Sequence, residues 1–144
     1  MTVSTTSIPT AHGVSTRTHA IVLVAGAVIT VAANTVIAVS AIAAGASAEF
    51  HPLMFVIFAP LTLVGYFAAY LGWRIVRSRA ANPAAVLRVL VPVLGIASFI
   101  PDVVLLATGF VPGASLTAVI ALALMHLVVI ATIVPIALRI APVR

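Results

Sequence analysis

The stretch LRVLVPVLGIASFIPDVVLLATGF, residues 87–110, decides the fold of this chain. It is long and apolar enough to cross a bilayer, which takes about 20 apolar residues in a helix. It also contains two prolines, Pro92 and Pro101, and the only carboxylate that falls within an apolar run, Asp102. Because a carboxylate in hydrocarbon is costly, we expect the surrounding fold to give Asp102 a partner or a role.

Three further apolar runs accompany this stretch, so the predicted spans are residues 20–44, 53–73, 87–110 and 116–138. Hydrophobic residues make up 64% of the 144 residues and charged residues only 6%, too few to cover the surface of a soluble domain. The short connections make neighbouring helices antiparallel. We therefore predict an all-α integral membrane protein, a four-helix up-down bundle.

One membrane domain, residues 19–140, is expected between a flexible, Ser- and Thr-rich tail at 1–18 and a short end at 141–144. His12 and His19 fall in or beside the tail, where we expect them to be solvated. A cleaved signal peptide is an alternative for the first run, since Ala46-Ser47-Ala48 has the A-x-A pattern. The run is much longer than the 7–15 residues of a signal core, which favours a span.

The charges predict the orientation. All seven basic residues are arginines, and in a four-span topology they fall on one side of the membrane: Arg17, Arg74, Arg77, Arg79, Arg88, Arg139 and Arg144. The other side holds Glu49, His51 and the turn at 111–115. With loops this short the positive-inside rule predicts that both termini are cytoplasmic and that the protein is a multi-pass protein of the cell membrane. The arginines form no stripe with aromatic residues, which argues against a nucleic-acid partner.

The chain has no cysteine, which excludes disulfides and thiolate metal sites. No catalytic, nucleotide-binding or metal-binding motif stands out, so we expect no metal and no cofactor. Haem ligation by His51 and His126 is disfavoured because their expected depths differ by about half the membrane. A Ser98, His126 and Asp102 hydrolase is disfavoured because Ser98 and Asp102 share one helix and no nucleophile elbow is present.

Small residues predict the faces on which the helices pack. They recur every four residues on the first span and in two rows on the second, and one lies in the third, as small-xxx-small patterns do where helix backbones approach closely. The members are Gly26, Thr30, Asn34 and Ala38; Gly65 with Ala69 and Ala68 with Gly72; and Gly95.

Polar residues inside the spans form the candidate intramembrane site: Asp102, His126, Asn34, Ser98 and Tyr66, with Thr30 and Thr62 nearby in sequence. They share a depth, since Asp102 lies roughly 6 Å from the middle of its span and His126 lies close to the middle of its own. We expect an Asp102–His126 pair between the third and fourth spans, completed by Asn34 and Tyr66. Pro101 should free a carbonyl near Ala97 that could join them.

Two interpretations of this polar layer stay open. Interhelical hydrogen bonds of this kind can simply hold helices together. Alternatively, Asp102 and His126 form a proton-responsive or ligand-contacting pair, because ionisable residues within a membrane mark functional sites and histidine titrates near neutral pH.

The segment Leu124-Met125-His126-Leu127-Val128-Val129, followed by Pro135 and Arg139, resembles the last helix of a family of small four-helix membrane proteins of unknown function from high-GC Gram-positive bacteria. Gly72-Trp73, the arginines after it and a length of about 140 residues fit the same pattern. The resemblance implies four spans and makes His126 a family feature, but it implies no activity.

Three function classes follow from these observations. The first is a non-enzymatic structural or partner-binding membrane component, with the lipid bilayer and a second copy or another membrane protein as partners. The second is a small transporter, or a proton- or ligand-responsive protein, that uses Asp102 and His126. The third is a membrane-embedded enzyme acting on a lipid or quinone, which would need an apolar pocket open to lipid beside His126.

Overall fold

The computed structural model of the chain describes residues 16–143 and is all-helical there. Its α-helices are α1 (Thr16–Ala43), α2 (Phe55–Arg79), α3 (Pro83–Ala97), α4 (Ile100–Thr108) and α5 (Leu116–Ile140), and a short 3₁₀ helix (His51–Leu53) precedes α2. Four segments are long and apolar enough to cross a membrane, with α3 and α4 together as the third.

The helix boundaries correct two predictions. Residues 16–18, expected in the tail, open α1, while the rest of the tail with His12 lies outside the described residues. The loop expected at 74–88 shrinks to three residues, 80–82, because α2 continues through Arg79. Helix α3 then starts at once, since Asn82 caps it by accepting a hydrogen bond from the Ala85 N–H at 3.0 Å. The arginines of this region therefore lie on helices.

Neighbouring segments run antiparallel, as side-chain contacts show. Thr30 of α1 meets Thr132 of α5, and Asn34 of α1 meets Thr62 of α2. Asp102 of α4 likewise meets His126 of α5. One end of the bundle, here called the arginine end, carries the α2–α3 connection, and the opposite end, the Glu49 end, carries the α1–α2 and α4–α5 connections.

The third segment is interrupted, although one helix was expected over 87–110. Helix α3 ends at Ala97, residues 98–99 form a turn, and α4 begins at Ile100. Pro101 cannot donate to a carbonyl one turn earlier, and its ring crowds that carbonyl. The Ser98 hydroxyl adds to the effect by donating to the Gly95 carbonyl at 2.7 Å, in competition with the backbone.

The buried residues lie mainly between α1, α2 and α5. One cluster near the Glu49 end includes Phe50, Phe58 and Leu122, and another at the arginine end includes Trp73 and Ala137. The third segment contributes little, because Leu87, Gly95 and Asp102 are its only buried residues among those described. A loosely packed third segment leaves room beside α2, and this space contains the candidate site.

Candidate functional site

A groove of about 700 Å³ runs between α2 on one side and α3–α4 on the other, with α5 as its floor. Along α5 it extends from Leu122 to Ala137, a distance of roughly 22 Å at 1.5 Å per residue. Helix α2 contacts α3 but hardly touches α4, so the groove widens towards the Glu49 end. Leu61 on one wall and Leu94 on the other are 65% and 58% exposed, and the groove is therefore open along its side.

The small residues of α2 face this groove. Gly65, Ala68, Ala69 and Gly72 all line it, and a Cβ added at Gly65 or Gly72 would meet nothing within 4 Å. The sequence predicted these rows as helix-packing faces, and within the described chain no helix packs on them. The α1 row is different, because Gly26, Thr30, Asn34 and Ala38 are all buried, as predicted.

Asp102 and His126 form the expected contact between α4 and α5, and both line the groove. The Asp102 Oδ2 to His126 Nδ1 distance is 3.3 Å, but Nδ1 also lies 2.9 Å from the Leu122 carbonyl oxygen. A carbonyl only accepts, so Nδ1 carries the hydrogen and donates it to Leu122. Asp102 Oδ2 is left buried without a hydrogen-bond partner among the described residues.

The interruption of the third segment shapes this pair. Asp102 lies in the first turn of α4, where the partial positive charge of a helix N-terminus favours a carboxylate. Phe99, within the turn, packs edge-on against the His126 ring, with the ring centroids 6.1 Å apart. The break therefore gives the carboxylate a helix end and gives the imidazole an aromatic neighbour.

Asn34 and Ser98 also line the groove but do not bond to the pair. The Asn34 side-chain amide donates to the Thr62 hydroxyl at 2.9 Å, which ties α1 to α2. Its carbonyl oxygen, Oδ1, has no hydrogen-bond partner in residues 16–143, and the residue is fully buried. Two residues that line the groove therefore each carry a buried acceptor without a donor, Asn34 and Asp102.

Tyr66, like Asn34, was expected to complete the Asp102–His126 pair, and the structure bonds neither of them to it. The Tyr66 side chain is fully buried, but it does not line the groove and does not complete the Asp102–His126 pair. The hydroxyl lies against Gly26 of α1, close to Ile136, and finds no hydrogen-bond partner among the described residues. Tyr66 follows Thr62 by four residues, so the two side chains share a face of α2. The helical repeat alone does not say which neighbouring helix that face contacts.

One hydrogen-bonded pair was not predicted. The hydroxyls of Thr30 and Thr132 are 2.8 Å apart between α1 and α5, and the Thr30 hydroxyl also donates to the Gly26 carbonyl at 2.7 Å. Thr132 lies six residues after His126. Its position as a lone threonine in an apolar run was the one feature of the sequence that could have indicated an interhelical hydrogen bond there. This pair and the Asn34–Thr62 pair join α1 to both of its neighbours.

The remaining titratable residues do not gather into a second site. Within residues 16–143, no three His, Asp or Glu side chains come together as a metal ion requires. Glu49 and His51 stay at the Glu49 end and do not line the groove themselves, although the neighbouring Pro52 does. Chemically, the groove offers a long apolar surface and five polar lining residues, here together called the polar patch: Asn34, Thr62, Ser98, Asp102 and His126.

Comparison of the chain with models of known protein families, with curated proteins and with solved structures finds no match. The resemblance to the family of small four-helix membrane proteins therefore stays a prediction.

Proposed function

We propose that this chain is a multi-pass membrane protein that binds a lipid-like small molecule in the groove, with its apolar body along α5 and its polar group at Asp102 and His126. This is the ligand-responsive alternative of the three function classes. The observation that carries it is an apolar groove, open at its side, whose single polar patch contains buried acceptors without donors.

The surface of the bundle supports insertion in a bilayer. Large apolar side chains cover its outward faces; Val28, Val56 and Ile96, on three different helices, are 62%, 71% and 69% exposed. Soluble proteins rarely expose contiguous apolar surface on this scale. The arginines gathered at one end favour the orientation with that end, and both termini, in the cytoplasm.

The size of the groove suits a small molecule. Pockets for small ligands typically measure about 300–1,000 Å³, a range that includes this groove of about 700 Å³. The open side gives a ligand dissolved in the bilayer a direct path in.

The hydrogen bonds favour a binding role for the pair over a purely structural one. Thr30–Thr132 and Asn34–Thr62 connect α1 to its neighbours through well-formed bonds of 2.8 and 2.9 Å. By contrast, Asp102 Oδ2 makes no hydrogen bond to His126, although the two residues lie side by side. Helix α1 is therefore held by bonds that do not involve the pair, whereas the Asp102–His126 contact between α4 and α5 leaves a carboxylate oxygen without a hydrogen bond.

A membrane-embedded enzyme is the second candidate, since it requires an apolar pocket beside His126 and the groove meets that requirement. Asp102 and His126 would then exchange a proton with the bound molecule. Conversion of a lipid or quinone by the purified protein, lost in His126→Ala, would identify this class. Binding without conversion supports the simpler proposal.

The test uses Trp73, the only tryptophan of the chain, which lines the arginine end of the groove. The full chain in lipid nanodiscs is titrated with 12-bromododecan-1-ol, whose bromine quenches indole fluorescence on contact. Gly65→Leu should lower the affinity of the probe, measured from the saturable part of the quenching, at least tenfold. The reason is that the new side chain enters free space in the groove. Val64→Leu, on the outward face of the same helix, is the matched control and should bind like the wild type.

Two outcomes would overturn the proposal. Equal, non-saturable quenching of the wild type and Gly65→Leu would mean that the probe reaches Trp73 only from bulk lipid. A stable wild-type dimer that Gly65→Leu dissociates would mean that a helix of a second copy occupies the groove.

A further inference from the structure

We propose that the groove selects amphiphiles whose head is a primary ammonium, a cation that donates hydrogen bonds. This inference rests on the proposed function and adds the chemical class of the ligand. It follows from the hydrogen-bonding character of the polar patch and from the position of the arginines.

The polar patch presents acceptors. Asn34 Oδ1 and Asp102 Oδ2 are buried without hydrogen-bond partners in the described part of the chain, and their residues are 0% and 4% exposed. An ionised carboxylate only accepts hydrogen bonds. The N–H of His126 Nδ1 is already used by the Leu122 carbonyl, so in the neutral imidazole Nε2 is a third acceptor.

The patch offers little to an anionic head. No arginine is found among the described residues that line the groove, and the chain has no lysine. The arginines of α2 and α3 lie at the arginine end, away from Asp102. A phosphate would therefore meet a carboxylate and an amide oxygen without a fixed cation, which is unfavourable in a site of low polarity.

An ammonium head matches the polar patch in its number of hydrogen-bond donors and in its charge. It carries three donors and no acceptor. It also brings a positive charge to a buried carboxylate, which is costly to leave unpaired. The apolar chain then extends along α5 towards Trp73; the rise from His126 to Ala137, near that tryptophan, is roughly 16 Å.

The experiment compares four probes with the same brominated twelve-carbon chain and different heads: an alcohol, a primary ammonium, a trimethylammonium and a phosphate. Quenching of Trp73 is measured for each with the full chain in nanodiscs of a neutral lipid. We expect the primary ammonium to bind at least tenfold more tightly than the phosphate. Trimethylammonium, which has the charge without N–H donors, should bind about tenfold less tightly than the primary ammonium.

Asp102→Asn tests whether the negative charge of Asp102 contributes to binding of the ammonium head. It keeps the shape of the side chain and removes the charge, so ammonium affinity should fall about tenfold while alcohol affinity changes less than twofold. Thr108→Ala is the matched control on the same helix, because this hydroxyl donates to the Val104 carbonyl at 2.7 Å and the residue does not line the groove. Its affinities should stay within twofold of the wild type.

The outcomes separate this inference from the proposed function. If all four probes bind saturably and the phosphate binds as tightly as the ammonium, the inference on the head is overturned and groove binding stands. Equal binding of the two cations would overturn the requirement for donors. If no probe binds saturably, the proposed function itself fails. Retained ammonium affinity in Asp102→Asn, with normal folding, would overturn the role of the carboxylate.

Discussion

Gly26→Ala tests the packing of α1 against its two neighbours. A Cβ at Gly26 would overlap the Tyr66 hydroxyl and the tip of Ile136. Ile136 can rotate its end methyl away, but the Tyr66 ring is rigid and fully buried. Overpacking of a core costs about 1–3 kcal/mol, and an overlap this close puts the variant in the upper half of that range, about 2–3 kcal/mol.

Gly65→Ala is the matched control, because a Cβ there meets nothing within 4 Å. Both changes replace glycine by alanine inside a helix, so the gain in helix propensity, about 1 kcal/mol, cancels in their difference. The difference in the free energy of unfolding between the two variants should therefore be about 2–3 kcal/mol. It can be measured by adding a denaturing detergent to the protein in a mild one and following helix content by circular dichroism.

Tyr66→Phe tests whether the overlap between the new Cβ at position 26 and the Tyr66 hydroxyl causes the loss of stability. Removing the hydroxyl leaves the ring carbon Cζ 3.3 Å from the new Cβ, a tight but tolerable separation. The double variant Gly26→Ala/Tyr66→Phe should thus recover about 1 kcal/mol or more of the loss. Tyr66→Phe alone should be neutral or stabilising by about 1 kcal/mol, because it removes a buried hydroxyl without a partner. Equal stability of Gly26→Ala and Gly65→Ala would refute the packing argument.

Three further predictions concern other parts of the chain. Thr132→Val should lower the free energy of unfolding by about 0.6–1.7 kcal/mol in the same detergent titration, because Thr30 loses its partner on α5; no change would contradict that role. Asn82→Ala should cost about 1 kcal/mol by removing the cap on Ala85, and Asn82→Gly only a few tenths; an Asn82→Ala variant as stable as the wild type would show that the cap bond does not matter. A reporter enzyme that is active only outside the cytoplasm should be active when inserted after Gly113 and inactive at the C-terminus, and the reverse pattern would refute the proposed orientation.

The helical segments were predictable because their signal is local. Runs of apolar residues marked all four segments that are long and apolar enough to cross a membrane, and the four-residue row on α1 marked its buried face. The Pro112-Gly113 turn was also marked, and Gly113 there has a positive φ of 81°. The helix ends were less predictable, since apolar runs stop near the arginines of α2 while its backbone hydrogen bonds continue to Arg79.

The level of each site residue along its helix could be predicted from the sequence. Which of these side chains contact one another could not. Counting residues along each span puts Asn34, Tyr66, Asp102 and His126 at similar levels, and the Asp102–His126 contact follows from that. Which residues meet at one level depends on helix rotation and separation, which the sequence of a single helix does not specify. For this reason Tyr66 turned out to face Gly26, and the small residues of α2 turned out to line a groove.

The break before Pro101 connects these findings. In a continuous helix, Asp102 would sit mid-helix in an apolar setting, with no backbone group to favour its charge. The interruption places it in the first turn of α4, where the helix end favours a negative charge, and it lets α4 follow α5 while α3 stays with α2 at the arginine end. The same local defect therefore supports the carboxylate and opens the space in front of it. Pro101→Ala, which restores the backbone N–H, should extend α3 into α4, narrow the groove and weaken binding of the alcohol probe, whereas Pro92→Ala, within the unbroken part of α3, should leave binding unchanged.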